Sequence, residues 1–142
     1  MRAPDVNVLL HAYRADDPQH ARCARWLRDA VEGVETLALI DSVVAGFVRI
    51  VTNPRIYDNA APLSETLTFI DVLLQQPGVI RISAGPRHWD ILSSLCRDAG
   101  ARGNLVSDAA HAAVAVEHGA TLVSLDRDFA RFPGLRWELP AV

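Results

Sequence analysis

The sequence predicts an α/β fold, with a parallel central sheet flanked by helices on both faces. Short apolar segments alternate with helical patterns along the chain, and this alternation is typical of parallel strands joined by crossover helices. The most informative segment, residues 103–133, is a helical pattern followed by a β-branched, apolar run that ends in acidic residues. In an open α/β sheet, ligands bind where the carboxyl ends of the strands meet.

The length and composition indicate a single domain, residues 1–142. A chain of 142 residues of which half are apolar can bury a core without disulfides or metals. No apolar run is long enough for a membrane span, and the N-terminus lacks the features of a signal peptide. Cys23 and Cys96 are isolated in the sequence, which favours reduced thiols and a cytoplasmic protein.

The basic residues exclude several kinds of chemistry. All 14 are arginine, and a Walker A loop, a Schiff base and a Ser-Lys dyad each require a lysine. The net charge of −3 argues against a broad electrostatic binder of nucleic acid. It is compatible with a nuclease, because a carboxylate site stays acidic until a metal ion neutralises it.

The first half of the chain contains two predicted strands, residues 2–6 and 36–40. Pro4 is awkward in a central strand because it has no N–H. Asp17-Pro18 predicts the start of a helix that ends before Gly33, with Ala24, Leu27 and Val31 facing inward. A helix over residues 43–52 is apolar on nearly all sides and is therefore expected to be buried. Its only charge, Arg49, then requires an acidic partner.

The second half adds three strands and three helices. Amphipathic patterns predict helices over residues 62–76 and 86–99, the latter burying Trp89 and Cys96, with a strand over residues 79–82 between them. Asp108 is expected to open the next helix and Gly119 to end it. The last two predicted strands are residues 120–124 and 135–139.

Three carboxylates are expected on one rim of the sheet. Asp5 and Asp126 end strands, Asp108 begins a helix, and Asp128 follows closely. Crowded carboxylates raise one another's pKa, and a hard divalent cation such as Mg²⁺ relieves the repulsion. Such a site activates water against a phosphodiester. Each acid also has a structural interpretation, as a helix cap for Asp5 and Asp108, a turn residue for Asp126 and a solvated residue for Asp128.

Three segments carry a resemblance to a known family: DVNVLL at residues 5–10, FVRIVTNPRIY at residues 47–57, and the long stretch over residues 103–140. With these segments the sequence resembles the PIN-domain ribonucleases, specifically the VapC-type toxins of bacterial toxin–antitoxin pairs. The resemblance implies a PIN-like domain that is a Mg²⁺- or Mn²⁺-dependent endoribonuclease of structured RNA, such as tRNA or rRNA. It also implies a homodimer and a cognate VapB-type antitoxin as partner. No membrane association is expected, because no apolar run has the length of a membrane span.

The resemblance assigns roles to particular residues. Asp5, Asp108 and Asp126 match the family's catalytic acids. Asp5 and Asp108 are expected to hold the metal directly, and Asp126 is expected to hold it through water or to orient the attacking water. Asn7 and Ser124 are expected to contact the scissile phosphate or to position the acids.

The chain departs from the family pattern at Gly46, where many PIN domains carry a glutamate. Asp41 is a candidate to replace that acid. Two alternatives to the nuclease therefore stay open. One is a catalytically weak or inactive PIN domain that binds RNA or a partner protein without cutting, and the other is a structural module whose acids are caps.

Overall fold

The computed structural model describes residues 1–141, which form one five-stranded sheet surrounded by helices. The strand order is β3-β2-β1-β4-β5, and every neighbouring pair is parallel. The predicted α/β fold is thus confirmed. The strands are β1 (Arg2–Pro4), β2 (Leu37–Ile40), β3 (Val79–Ile82), β4 (Thr121–Val123) and β5 (Trp137–Glu138). The helices are α1 (Val6–Tyr13), α2 (His20–Glu32), α3 (Asp41–Val51), α4 (Leu63–Leu74), α5 (His88–Ala99) and α6 (Asn104–His118), followed by a short 3-10 helix (Arg127–Arg131).

The strand order creates a topological switch point between β1 and β4. From β1 the chain builds the sheet outward through β2 to β3, and it then returns to add β4 on the other side of β1. Because parallel crossovers are right-handed, the helices before and after this return lie on opposite faces of the sheet. A crevice therefore opens at the carboxyl ends of β1 and β4, where ligands bind in such folds.

The core consists of the buried strands and the helix faces that cover them. All four residues of β2 are buried, as its apolar sequence predicts. On one side of the core, the rings of Tyr13, Phe47 and Phe69 meet with centroids 5.0–5.7 Å apart. The small side chains of Ala109, Ala112 and Ala113 are fully buried, as expected of a helix that packs tightly against its neighbours.

Pro4 lies in the central strand without breaking the sheet. The N–H of Arg2 donates to the carbonyl of Thr36 on the β2 side of β1. Alternate residues of a strand point their N–H groups to the same side, so the missing N–H of Pro4 also faces β2. The pairing of β1 with β2 is at Arg2 and Leu37, whereas Pro4 pairs with Val123 on the β4 side. The proline thus limits the pairing of β1 with β2 to Arg2 and leaves the pairing with β4 intact.

Two predicted helix starts are wrong. Helix α6 begins at Asn104 after Gly103, whose positive φ of 62° favours glycine, so Asp108 lies in the second turn and caps nothing. Helix α2 begins at His20 rather than at Pro18. The carboxylate of Asp17 instead accepts a hydrogen bond of 2.7 Å from the backbone N–H of Gln19, which holds a turn before the helix.

The burial of Trp89 was also predicted wrongly. Its side chain is 72% exposed near the start of α5, while Leu95 is the residue of that helix that is buried. Cys23 is buried, Cys96 is partly buried, and both are free thiols. Among residues 1–141, no helix is both long and apolar enough to cross a bilayer.

Candidate active site

Three of the predicted acids line one cleft at the switch point. Asp5 directly follows β1, Asp126 follows β4, and Asp108 projects from α6, and all three line a cleft of about 640 Å³. Asp128 lies outside this lining, and its backbone N–H donates a hydrogen bond of 2.9 Å to Asp126 Oδ1. The tertiary structure therefore brings together residues that are up to 121 positions apart in the sequence.

A network of hydrogen bonds holds the Asp5 carboxylate. Asp5 is 6% exposed, and its Oδ2 accepts a hydrogen bond of 2.9 Å from the hydroxyl of Ser124 and one of 3.2 Å from the amide of Asn7. These two donors fix the orientation of the carboxylate. The other oxygen, Oδ1, carries neither of these bonds.

Ser124 joins the ends of both strands through one buried hydroxyl. While its Oγ donates to Asp5, it accepts 3.0 Å hydrogen bonds from the Asn7 amide and from the backbone N–H of Asp126. One donor and two acceptor sites are all that a hydroxyl offers. The carbonyl of Asn7 also accepts from the backbone N–H of Leu125 at 3.2 Å. Of the two roles expected for Asn7 and Ser124, these contacts match the positioning of the acids.

Asp108 is destabilised in its charged form. Its pKa is raised from 3.8 to about 6, chiefly by burial and then by the nearby charges of Asp5 and Asp126. A positive charge in the cleft would remove this penalty.

The oxygen donors of the cleft fit a hard divalent cation. Within residues 1–141, no three His, Cys, Asp or Glu side chains form a complete metal site. A Mg²⁺ ion does not require one, because it is usually held by one or two carboxylates with water molecules as its remaining ligands. Asp5 and Asp108 supply carboxylates of this kind in one cleft.

Helix α3 forms one wall of the cleft, and it contributes no acid to the lining. Ser42, Gly46 and Arg49 line the cleft, and a Cβ built on Gly46 would lie 3.3 Å from Val6 Cγ2 with no other atom of the surroundings within 4 Å. The expectation that this helix is buried on nearly all sides is wrong, since Ser42, Ala45 and Arg49 are all exposed.

Asp41 does not replace the missing glutamate. Its two carboxylate oxygens accept hydrogen bonds of 3.0 and 3.1 Å from the guanidinium of Arg81 on β3. Asp41 lines a different cleft, between α3 and α4, and is therefore part of a surface ion pair.

His111 is a site residue that the sequence analysis missed. It lines the cleft, its Nδ1 lies 3.7 Å from Asp5 Oδ1, and this buried nitrogen has no hydrogen-bond partner within the described chain. His111 follows Asp108 by three positions, a spacing that places two side chains on one helix face. That spacing was the available signal, but it could not show that the shared face borders Asp5.

Comparison with known proteins identifies the family. A family model described as the PIN domain matches residues 3–135. The chain belongs to the PIN domain family. Among its curated relatives, VapC ribonuclease Mb2897 of Mycobacterium bovis is 43% identical over 140 residues, which are 99% of this chain and 95% of the relative. Ribonuclease VapC25 of Mycobacterium tuberculosis is 40% identical and covers 97% of both chains. The resemblance to VapC-type PIN domains is thereby confirmed.

Solved structures of PIN domains share the fold. The structure of VapBC2 from Rickettsia felis, bound to a DNA fragment from its promoter, matches this chain with a TM-score of 0.72 and 19% sequence identity. The match covers 97% of each chain. VapC20 of Mycobacterium tuberculosis, described as a sarcin-ricin loop cleaving toxin, matches with a TM-score of 0.68 and 16% identity, covering 96% of this chain and 99% of the other. The central parallel sheet is thus the common architecture of these proteins.

Proposed function

We propose that this PIN domain is the toxin of a type II toxin–antitoxin pair and that it cleaves structured RNA in a metal-dependent reaction. The observation that carries the proposal is the convergence of Asp5, Asp108 and Asp126 on one cleft. Relatives that are 40–43% identical over nearly the whole chain and are named ribonucleases support it.

The three acids would have different roles in metal binding. Asp5 and Asp108 would hold Mg²⁺ or Mn²⁺ directly, and Asp126 would act through a water molecule. The bound ion would supply charge neutralisation and activation of water at the phosphodiester. Ser124 and Asn7 keep the Asp5 carboxylate oriented, because both donate to its Oδ2 and thereby leave Oδ1 for the cleft.

An RNA cleavage assay tests this function. Purified protein is incubated with total tRNA and rRNA in the presence of Mg²⁺, of Mn²⁺ or of a chelator. We expect discrete cuts that require a metal ion and are lost in Asp108→Asn. Asp71→Asn is the matched control, because Asp71 is an exposed acid on α4 outside the cleft. Equal cutting by wild type and Asp108→Asn would contradict the site assignment.

A second candidate function is RNA binding without cleavage. Gly46 favours it, because α3 offers no carboxylate to the cleft at that position. This alternative predicts that folded protein retains RNA on a filter but yields no cleavage products with either ion. Cleavage that depends on metal excludes it.

The proposed partners follow from the same family. Structures with this fold include VapBC from Salmonella typhimurium bound to DNA, so we propose a VapB-type antitoxin as partner, a homodimeric toxin and a cytoplasmic setting. An acidic cleft suits an arginine from a partner, which pairs with carboxylates through two hydrogen bonds. Co-purification with the protein encoded beside this gene, followed by light scattering of the free toxin, tests both assemblies.

A further inference from the structure

The cleft contains one cation that the proposed metal chemistry does not use. Arg49 lines the same cleft as Asp5, Asp108 and Asp126. It projects from α3 three positions after Gly46, and residues at that spacing share a helix face. The wall that lacks an acid at Gly46 therefore presents a guanidinium.

Arg49 is free to bind a ligand. Its side chain is exposed, and within residues 1–141 it takes part in none of the ion pairs or side-chain hydrogen bonds found. Other arginines are already engaged, Arg14 by Asp16 and Asn59 and Arg81 by Asp41. The sequence predicted an acidic partner for Arg49, and the structure gives it none among the described residues.

Arg49 also lies on the ridge between two clefts. It lines the acidic cleft together with Ala45, and both residues line the neighbouring cleft between α3 and α4 as well. A strand of nucleic acid that leaves the acidic cleft toward the second one must pass this guanidinium.

The charge balance of the site explains why such a group is needed. The chain has a net charge of −3, and the cleft contains three aspartates, so its field repels a polyanion. A bound divalent ion offsets part of that charge at the acids. Guanidinium groups bind phosphate through two parallel hydrogen bonds, a geometry that an ammonium cannot match.

We infer that Arg49 is the phosphate-binding residue of the α3 wall and that it holds an RNA phosphate next to the scissile bond. This inference rests on the proposed ribonuclease function. It divides the cleft into an acidic wall, which binds the metal ion, and a basic wall, which binds the RNA backbone.

RNA binding under non-cleaving conditions tests the inference. A fluorescein-labelled single-stranded RNA of mixed sequence is titrated in chelator at several salt concentrations, with wild type, Arg49→Ala, Arg49→Lys and Arg28→Ala. Arg28 is the matched control, since it is an exposed arginine on α2 without an ion pair within the described residues. We expect Arg49→Ala to weaken binding roughly five- to tenfold and to reduce the salt slope by about 0.7, the value for one lost phosphate contact on a single strand.

Arg49→Lys separates charge from geometry, and Arg28→Ala controls for the loss of any surface arginine. Arg49→Lys keeps the charge and should retain the wild-type salt slope while losing part of the affinity. Arg28→Ala should leave both quantities unchanged. In cleavage assays with total tRNA, Arg49→Ala should act mainly through KM. The rise in the melting temperature of Arg49→Ala on adding Mn²⁺ should equal that of wild type, because the three aspartates remain in place.

The outcomes distinguish this inference from the proposed function. If wild type cleaves RNA and Arg49→Ala binds RNA with unchanged affinity and salt slope, the inference is overturned and the ribonuclease stands. Equal losses in Arg49→Ala and Arg28→Ala also overturn it, because they indicate a diffuse charge effect. If wild type neither binds nor cuts RNA, the proposed function fails and the inference fails with it.

Discussion

The hydroxyl of Ser124 donates a 2.9 Å hydrogen bond to Oδ2 of Asp5, and the two residues are 119 positions apart. Ser124 ends up beside Asp5 because β4 pairs in parallel with β1, with Pro4 opposite Val123. The next residue on each strand therefore leaves the sheet at the same edge. The pairing of two strands thus positions both the acid and the group that orients it.

Replacing Ser124 tests this positioning. Ser124→Ala leaves the Asp126 N–H without its side-chain acceptor, removes one of the two acceptors of the Asn7 amide, and removes one donor from Asp5. Unpaired buried polar groups cost about 1–3 kcal/mol, so we expect a loss of that size in the free energy of unfolding by urea. Metal-dependent cleavage should fall as well, because Asp5 can then rotate. Ser94→Ala, at an exposed position of α5, should behave as wild type, and an equally active and stable Ser124→Ala would contradict the role.

The raised pKa of Asp108 predicts how stability depends on pH. Its pKa is about 6 in the folded protein against an ordinary value of 3.8, so the ionised carboxylate destabilises the fold. This penalty is fully present above about pH 7 and disappears as the pH falls from about 6 to below 4. Because the side chain is partly solvated, we expect Asp108→Asn to be more stable than wild type by about 1–2 kcal/mol at pH 8.

Thermal unfolding in chelator from pH 4 to pH 8 measures this effect. The difference between Asp108→Asn and wild type should shrink steadily toward pH 4. Asp71→Asn should show no such trend, because Asp71 lies on the exposed face of α4. A variant less stable than wild type at pH 8 would show that the carboxylate makes a stabilising contact instead.

Gly46 allows the missing acid to be restored. A Cβ at this position meets only Val6 Cγ2, at 3.3 Å, so Gly46→Glu should fold after a small shift of that methyl group. A further carboxylate should tighten divalent metal binding, and metal that binds only the folded state raises the melting temperature. We expect Mn²⁺ to raise the melting temperature of wild type, and to raise that of Gly46→Glu at lower concentration.

Gly46→Gln is the matched control, with nearly the same shape and no charge. It should need the same Mn²⁺ concentration as wild type. If Gly46→Glu and Gly46→Gln respond alike, the side chain at position 46 does not reach the metal. If Mn²⁺ leaves wild type unaffected at all concentrations, the metal site itself is wrong and the acids are structural.

Gly85 and Glu117 are in close contact at a position outside the cleft. The carboxylate of Glu117 accepts hydrogen bonds from the backbone N–H groups of Gly85 and Arg87 at 2.8 and 2.9 Å, which lowers its pKa. A Cβ on Gly85 would lie 2.6 Å from Glu117 Oε2. In Gly85→Ala the end of this flexible side chain must move away from the added methyl group, which weakens its hydrogen bonds to the two amides. We therefore expect Gly85→Ala to unfold at a lower urea concentration than wild type.

Gly78→Ala is the comparison for this change. A Cβ there meets nothing closer than 3.9 Å, and Gly78 has no positive φ, so alanine should be neutral or stabilise the protein by up to about 1 kcal/mol. Urea denaturation of the two variants gives both values. Similar stabilities for Gly85→Ala and Gly78→Ala would mean that Glu117 contributes little to the junction of α5 and α6.

Much of the architecture could be predicted from local patterns. The apolar segments at β2 and β3 and the glycine that ends α6 were located correctly, because burial and left-handed backbone leave strong local signals. Helix starts were less accurate, since Asp17 and Asp108 resemble caps but serve a turn and the cleft. Trp89 was predicted to be buried because of its aromatic ring, yet it is exposed. The residue pattern of α5 alone does not show which of its residues α6 covers.

The sequence by itself determined that this protein is an α/β domain of PIN type with Asp5, Asp108 and Asp126 as its candidate site. Periodicity and strand length indicated the α/β fold, and the resemblance carried by three sequence segments indicated the PIN type and matched the three acids to those of the family. All of these signals can be read without coordinates. Only the tertiary structure decided that Ser124 donates a hydrogen bond to Asp5 and that Asp41 forms an ion pair with Arg81. It also decided that His111 and Arg49 line the cleft of the acids. These relations depend on which strands pair and which helix faces meet across the switch point, and no local pattern encodes that pairing.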